Sequence, residues 1–305
     1  MSNNQIDFIG IGAAKSGSSW LAECLRQHPN INLPGNNKEL NELNLHKNKE
    51  LNYFTKNFHL FNTRENLRCT NYDRGIDWYL NQFPKTKYGI IKGEISPSYL
   101  FDSASSCLIK KQFPNIKIIV ILRNPIDLIY SLFWFKKYTI DSKFDHNFEE
   151  AINEGSILKH GLLYQQLQKY YQQFPEKNIH SIIYDQIKLN PQKEIQKLYQ
   201  FLNVNSNFKP ANINKKINKT KTVKSENLKK ICQNILIVIK NIGLSSLAKK
   251  LSTNYSCNLI YHKINLSNKN YPPMAENTRK KLKKYYQEEI NNLQNLINHD
   301  LSNWE

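Results

Sequence analysis

Cysteine is scarce and unpaired in this sequence. The five residues (Cys24, Cys69, Cys107, Cys232 and Cys257) are odd in number, widely separated, and never form a C-x-x-C. Neither a zinc site nor a disulfide framework is indicated, and a reducing compartment is expected. Long apolar runs are missing as well. The longest lies near Ile118 to Leu122 and is far too short to cross a bilayer. The opening MSNNQIDF lacks the basic start and apolar core of a signal peptide. These absences set the expectation of a cytoplasmic, soluble protein without stable membrane insertion. Acid is the third shortage: 25 Asp and Glu stand against 43 Lys and Arg, a formal charge of +18.

That excess suits an anionic ligand such as a nucleotide, a nucleic acid, or a membrane surface. Much of it is lysine scattered through an Asn- and Lys-rich chain, so a dedicated nucleic-acid role is not expected. Hydrophobic content of 40% and charged content of 22% are ordinary for a folded globule. A chain of 305 residues suits one large or two small domains, and a single domain over 1–305 is expected.

The informative stretch is IDFIGIGAAKSGSSWLAECLRQHP, Ile6 to Pro29. Ile6, Phe8, Ile9 and Ile11 form an apolar run typical of a buried strand. Trp20, Leu21, Cys24 and Leu25 then fall on one helical face, and His28-Pro29 ends the pattern. Between them lie Lys15, Ser16, Gly17, Ser18 and Ser19. A helix start has unpaired N–H groups and the positive end of a dipole. With a lysine and hydroxyls beside it, that turn is suited to a phosphate-like anion. It is not a nucleotide P-loop of the form G-x-x-x-x-G-K-[ST]. Gly12 and Gly17 have the right spacing, but Ser18 stands where the lysine belongs. Nor is it a dinucleotide fingerprint, because Lys15 follows Gly10-x-Gly12 where a small residue is wanted.

Lys-x-Gly-[ST]-[ST] before an apolar helix resembles the sulfotransferases that use 3′-phosphoadenylyl sulfate (PAPS). The resemblance implies that this loop holds the 5′-phosphosulfate, with Lys15 at the bridging oxygen. Trp20 is then placed either on adenine or in the core. A second signature agrees. Ile116 to Leu122 reads as a central parallel strand and runs into Arg123-Asn124-Pro125 and a helix over 126–137. Ser131 follows Arg123 by eight positions. In the resembled family this arginine and serine bind the 3′-phosphate. A guanidinium fork reads a phosphate dianion better than an ammonium does.

The likeness extends further. Lys49-Glu50-Leu51-Asn52-Tyr53-Phe54 matches a segment whose glutamate is proposed in that family as general base, and Lys38-Glu39-Leu40 matches it only at its start. Glu50 is therefore the expected base, with Glu39 and His46 as alternatives. Lys92-Gly93-Glu94-Ile95-Ser96-Pro97-Ser98-Tyr99 resembles an acceptor-cleft segment. Glu94 there either orients substrate or braces a turn. Ile95 stands where some heparan-modifying members have lysine. Lys269, Asn270 and Tyr271, ahead of Pro272-Pro273-Met274, resemble a loop that closes over the cofactor. Lys209 to Lys224 reads as a solvated basic loop, with a place over anionic ligand as the alternative, and the ILIVI run within 228–251 as core packing, with contact to a membrane or lipid-linked acceptor as the alternative.

The expected fold is α/β, a parallel sheet flanked by helices around a P-loop-like, PAPS-binding core. The expected function is PAPS-dependent transfer of a sulfuryl group to a hydroxyl or amine of a small molecule or glycan, releasing 3′,5′-ADP, without a metal. Two other classes compete. A P-loop kinase or NTPase needs a Walker lysine and a Mg²⁺ carboxylate that cannot be placed. A non-catalytic binder of anionic ligands has no use for Glu50.

Overall fold

The structure is a computed structural model and describes residues 6–34, 51–55, 71–84, 89–137, 147–214, 222–223, 225–244, 266–267 and 271–304. Its centre is a five-stranded parallel sheet. In chain order the strands are β1 (Phe8–Gly12), β2 (Ile31–Asn32), β3 (Ile91–Ile95), β4 (Lys117–Leu122) and β5 (Ile179–Ile183). They lie in space as β2-β3-β1-β4-β5. Phe8 pairs with Gly93 on one side and Lys117 on the other, and β4 pairs with β5 from Ile118–Ile179 to Leu122–Ile183.

Side chains alternate across a strand, so each apolar strand feeds two cores. Phe8, Ile119 and Ile121 meet α1 (Ser18–Gln27) through Trp20, Leu21 and Leu25. Ile9, Ile118, Val120 and Leu122 face the opposite layer, with Ile129 and Phe133 of the helix 125–137 and Tyr286 near the carboxyl end. With both faces covered, β4 is apolar and buried from Ile118 to Leu122, and its single polar residue, Lys117, stands at the half-buried start. At Gly93 a Cβ would lie 2.5 Å from the Phe8 ring, so this position admits no side chain without a shift.

The helices follow their end signals. Between β2 and β3 comes α2 (Gly75–Leu80), and between β3 and β4 comes α3 (Ser105–Gln112). Helix α4 (Pro125–Lys137) opens on proline, with the Asn124 side-chain Oδ1 accepting from the Ile126 N–H at 2.9 Å. A capping box formed by Asn147 and Glu150 starts α5 (Phe148–Asn153). Next are α6 (Leu163–Tyr171) and α7 (Tyr184–Leu189), and then α8 (Pro191–Leu202), capped by Asn190. A two-stranded antiparallel pair, β6 (Thr222–Val223) and β7 (Leu266–Ser267), flanks α9 (Glu226–Asn241). The long α10 (Glu276–Ile297) leads to Trp304, which is buried. Trp304 ties the carboxyl terminus to the sheet: its indole N–H donates to Asp185 at 3.0 Å, and its carbonyl accepts from Asn124 at 3.1 Å.

Candidate active site

In a parallel sheet every strand delivers its carboxyl end to the same edge, where ligand sites form. Residues 13–17 cross that edge between β1 and α1. The Ala13 N–H donates to the Ile121 carbonyl at 2.8 Å, which holds the turn against β4. Lys15 (φ 63°) and Gly17 (φ 102°) are both left-handed. At Gly17 a Cβ would also sit 3.4 Å from the Tyr184 ring, so the position combines an unusual backbone with close packing. Ser16 is fully buried, Ser18 is buried, and α1 has no acid in its first turn. The Lys15 ammonium lies 4.3 Å from the centroid of the Phe135 ring on α4.

Arg123 stands at the end of β4, next to that turn. Its Nη1 donates to the carbonyl of Lys15 at 2.7 Å, and its guanidinium carbon lies 4.9 Å from the Tyr184 ring centroid. The two signatures, 108 residues apart in sequence, therefore meet at one edge. Tyr184 touches both. It follows the last residue of β5, and only its place after the apolar run IHSII could have hinted at it. Ser131 is buried two turns into α4. The same helix carries Trp134, on which Tyr271 stacks at 5.9 Å with an interplanar angle of 8°. The Tyr130 hydroxyl fixes the neighbouring backbone by donating to the Pro272 carbonyl at 2.7 Å.

Glu94 proves to be a brace. It is fully buried at the end of β3. One carboxylate oxygen accepts from Tyr79 at 2.8 Å and Tyr99 at 2.7 Å; the other accepts from Ser96 at 2.8 Å and the Leu51 N–H at 3.1 Å. Burial lifts its pKa above the usual carboxylate range, while the four donors pull it back. The neighbouring donors continue the clamp on residues 51–55. The Asn52 N–H donates to Ser96 at 3.1 Å and the Tyr53 N–H to Tyr99 at 2.9 Å. Ser105 donates to the Phe54 carbonyl at 2.8 Å. The chain that immediately follows Glu50 is thus bolted to the carboxyl end of β3.

A small cleft borders the turn between Ala13, Ala14, Leu100, Phe101, Leu128 and His160. His160 stacks on Phe101 at 3.9 Å, 15° from parallel. Burial and the nearby Lys136 push its pKa down to about 4, so it is neutral at pH 7. Sequence reading did not single out His160, Phe101, Phe135 or Tyr184. Their positions depend on how separate segments pack.

Trp20, placed by the resemblance on adenine or in the core, lies at the start of α1. It is buried, packs with Leu21, and donates from its indole to the Ile213 carbonyl at 2.8 Å. Glu50, Glu39, His46, Lys269 and Asn270 lie outside the described residues.

The assembled groups are a lysine, a helix start with hydroxyls, and an arginine fork. All are hydrogen-bond donors or cations, the chemistry of a site for an anion charged at two ends. Comparison with known proteins agrees. The model of the sulfotransferase domain family matches residues 5–294, and the chain belongs to that family. It is 26% identical over 199 residues to heparan sulfate glucosamine 3-O-sulfotransferase 6 of Mus musculus, covering 63% of this chain and 50% of that protein. It is 28% identical over 134 residues to the bifunctional heparan sulfate N-deacetylase/N-sulfotransferase 1 of Caenorhabditis briggsae, covering 43% of this chain and 12% of that one. A sulfotransferase structure from Alicyclobacillus acidocaldarius superposes over 98% of both chains with a TM-score of 0.65 at 21% identity, which establishes the shared fold.

Proposed function

We propose that the protein transfers a sulfuryl group from PAPS to a hydroxyl or amine of an acceptor, and that the acceptor is a saccharide. The observation that carries this reading is the 2.7 Å bond from Arg123 to the Lys15 carbonyl, which joins two anion-binding groups into one site. PAPS, when bound, supplies the sulfuryl group and a phosphate leaving group. The chain's own residues supply positioning and charge. The backbone N–H groups of 16–19 and the Lys15 ammonium offer positive charge to the anion at the turn. Arg123 and Ser131 hold the far, 3′-phosphorylated end, so binding energy remote from the reacting atoms fixes their alignment. Lys269, Asn270 and Tyr271 are assigned to the cofactor by their resemblance to a closing loop; of the three, Tyr271 stacks on Trp134 of α4. We assign Trp20 to the packing beneath the turn rather than to adenine.

Glu50 takes the acceptor proton in this reading. The Glu94 brace supports it by fixing Leu51, the next residue in the chain. The saccharide assignment draws on the two relatives named for heparan sulfate.

Transfer of radiolabelled sulfate from PAPS to a panel of glycans tests this directly. Labelled product is expected, and Glu50→Gln should slow it by about 10²–10⁴-fold, the usual weight of a general base. Unchanged turnover in that variant moves the base to Glu39 or His46. Failure of every glycan and small hydroxyl or amine acceptor, with the protein folded, contradicts the reading.

A further inference from the structure

Helix α9 contradicts the expectation that its ILIVI run packs in the core. Isoleucine or valine stands at 231, 235, 238 and, just past its end, 242, a spacing that keeps to one helical face. Ile231 is 55% exposed, Ile235 53%, Val238 58% and Ile242 64%. Scattered apolar residues on a surface need no explanation, but a continuous row marks an interaction site. The row sits on an excursion whose two ends are stitched together by β6 and β7, with Thr222 opposite Ser267 and Val223 opposite Leu266.

Charge decides the occupant. Residues 209–251 hold eleven lysines and a single acid, Glu226, which is +10 of the +18 carried by the whole chain. A polyanionic glycan or nucleic acid would use the lysines but gain nothing from a row of isoleucines. A second copy of the chain would use the isoleucines but bring a second block of like charge against the first. An anionic lipid surface uses both: aliphatic side chains enter the acyl boundary while lysines meet the headgroups. Helix α9 has 16 residues, and among the described residues no helix is long and apolar enough to cross a membrane. It would therefore lie in the interface.

We propose that α9 docks the protein on the surface of a bilayer containing anionic phospholipid. This rests on exposure and charge alone and stands whether or not the sulfuryl-transfer reading holds. Co-sedimentation of the full chain with vesicles tests it, comparing phosphatidylcholine alone with a mixture containing about one-third phosphatidylglycerol. The wild type should pellet with the anionic vesicles, not with the neutral ones, and be released by high salt. The double variant Ile235→Asp/Val238→Asp should bind at least about tenfold more weakly, and Ile242→Asp should move the same way. Both changes fall at exposed positions, so near-ultraviolet circular dichroism should match the wild type. No pelleting with anionic vesicles overturns the proposal. So does undiminished pelleting of a folded double variant, which would leave the lysines acting alone. A wild-type dimer that ignores vesicles and that the double variant breaks into monomers also overturns it, by assigning the row to self-association.

Discussion

Arg123 reaches the carbonyl of Lys15 and the face of Tyr184 with one guanidinium. Lysine at this position would keep the charge but lose the planar fork. Arg123→Lys should therefore weaken 3′,5′-ADP about 10–100-fold, as a lost charge-assisted hydrogen bond would, and calorimetric titration measures it. Glu94 makes a different prediction. In Glu94→Gln an amide NH₂ must face either the two tyrosine hydroxyls or Ser96 and Leu51, and the Leu51 N–H cannot turn round. The variant should lose about 2 kcal/mol in urea denaturation at neutral pH. A loss below about 0.5 kcal/mol would contradict the brace. His160 predicts a pH effect. Its folded pKa of about 4 lies below the unfolded value near 6.5. The unfolded state thus binds more protons between those values, and stability falls as pH drops through that window. His160→Phe, which keeps an aromatic stack on Phe101, should remove that contribution. Relative to the variant, the wild type should lose about 3 kcal/mol between pH 7 and 4, read from urea midpoints. His180, also held down to about 4 by burial, is common to both proteins and cancels in the comparison.

At the scale of elements, the turn between β1 and α1 works because Gly17 accepts φ 102° beneath the Tyr184 ring. Gly17→Ala should cost about 1–3 kcal/mol of stability and weaken 3′,5′-ADP binding together, since the same backbone presents the amides. Thermal melts with and without ligand separate the two effects. Elements of this kind were legible in the sequence. The apolar run of β4, the Arg-Asn-Pro that follows it, and the Lys-x-Gly-Ser-Ser turn each carry a local physical signature. Contacts between elements were not. Whether Glu94 braces or orients depends on Tyr79, which a helix elsewhere in the chain presents to it. Tyr184 meets Gly17 and Arg123 only after β1, β4 and β5 have been laid side by side. The ILIVI run reads as core from periodicity because an amphipathic pattern does not say what lies against its apolar face.

Over the whole molecule, parallel strand order does the work of assembly. Placing β1 between β3 and β4 brings the lysine turn, the Glu94 clamp and Arg123 to one edge of the sheet from three distant parts of the sequence. The charge is distributed on a similarly large scale. More than half of the net +18 sits in residues 209–251, the stretch that carries the exposed isoleucine row. Low ionic strength should therefore strengthen vesicle binding far more than it changes the melting temperature.

In the proposed site the Lys15 turn and Arg123 grip the two ends of one adenylate. Calorimetric titration of 3′,5′-ADP, 5′-AMP and ATP–Mg²⁺ into wild type, Lys15→Ala and Arg123→Ala tests it most directly. 3′,5′-ADP should bind tightest, either substitution should weaken it at least about tenfold, and 5′-AMP should be indifferent to Arg123. Tighter binding of ATP–Mg²⁺, or a 3′,5′-ADP affinity untouched by the loss of Arg123, would contradict the proposed grip.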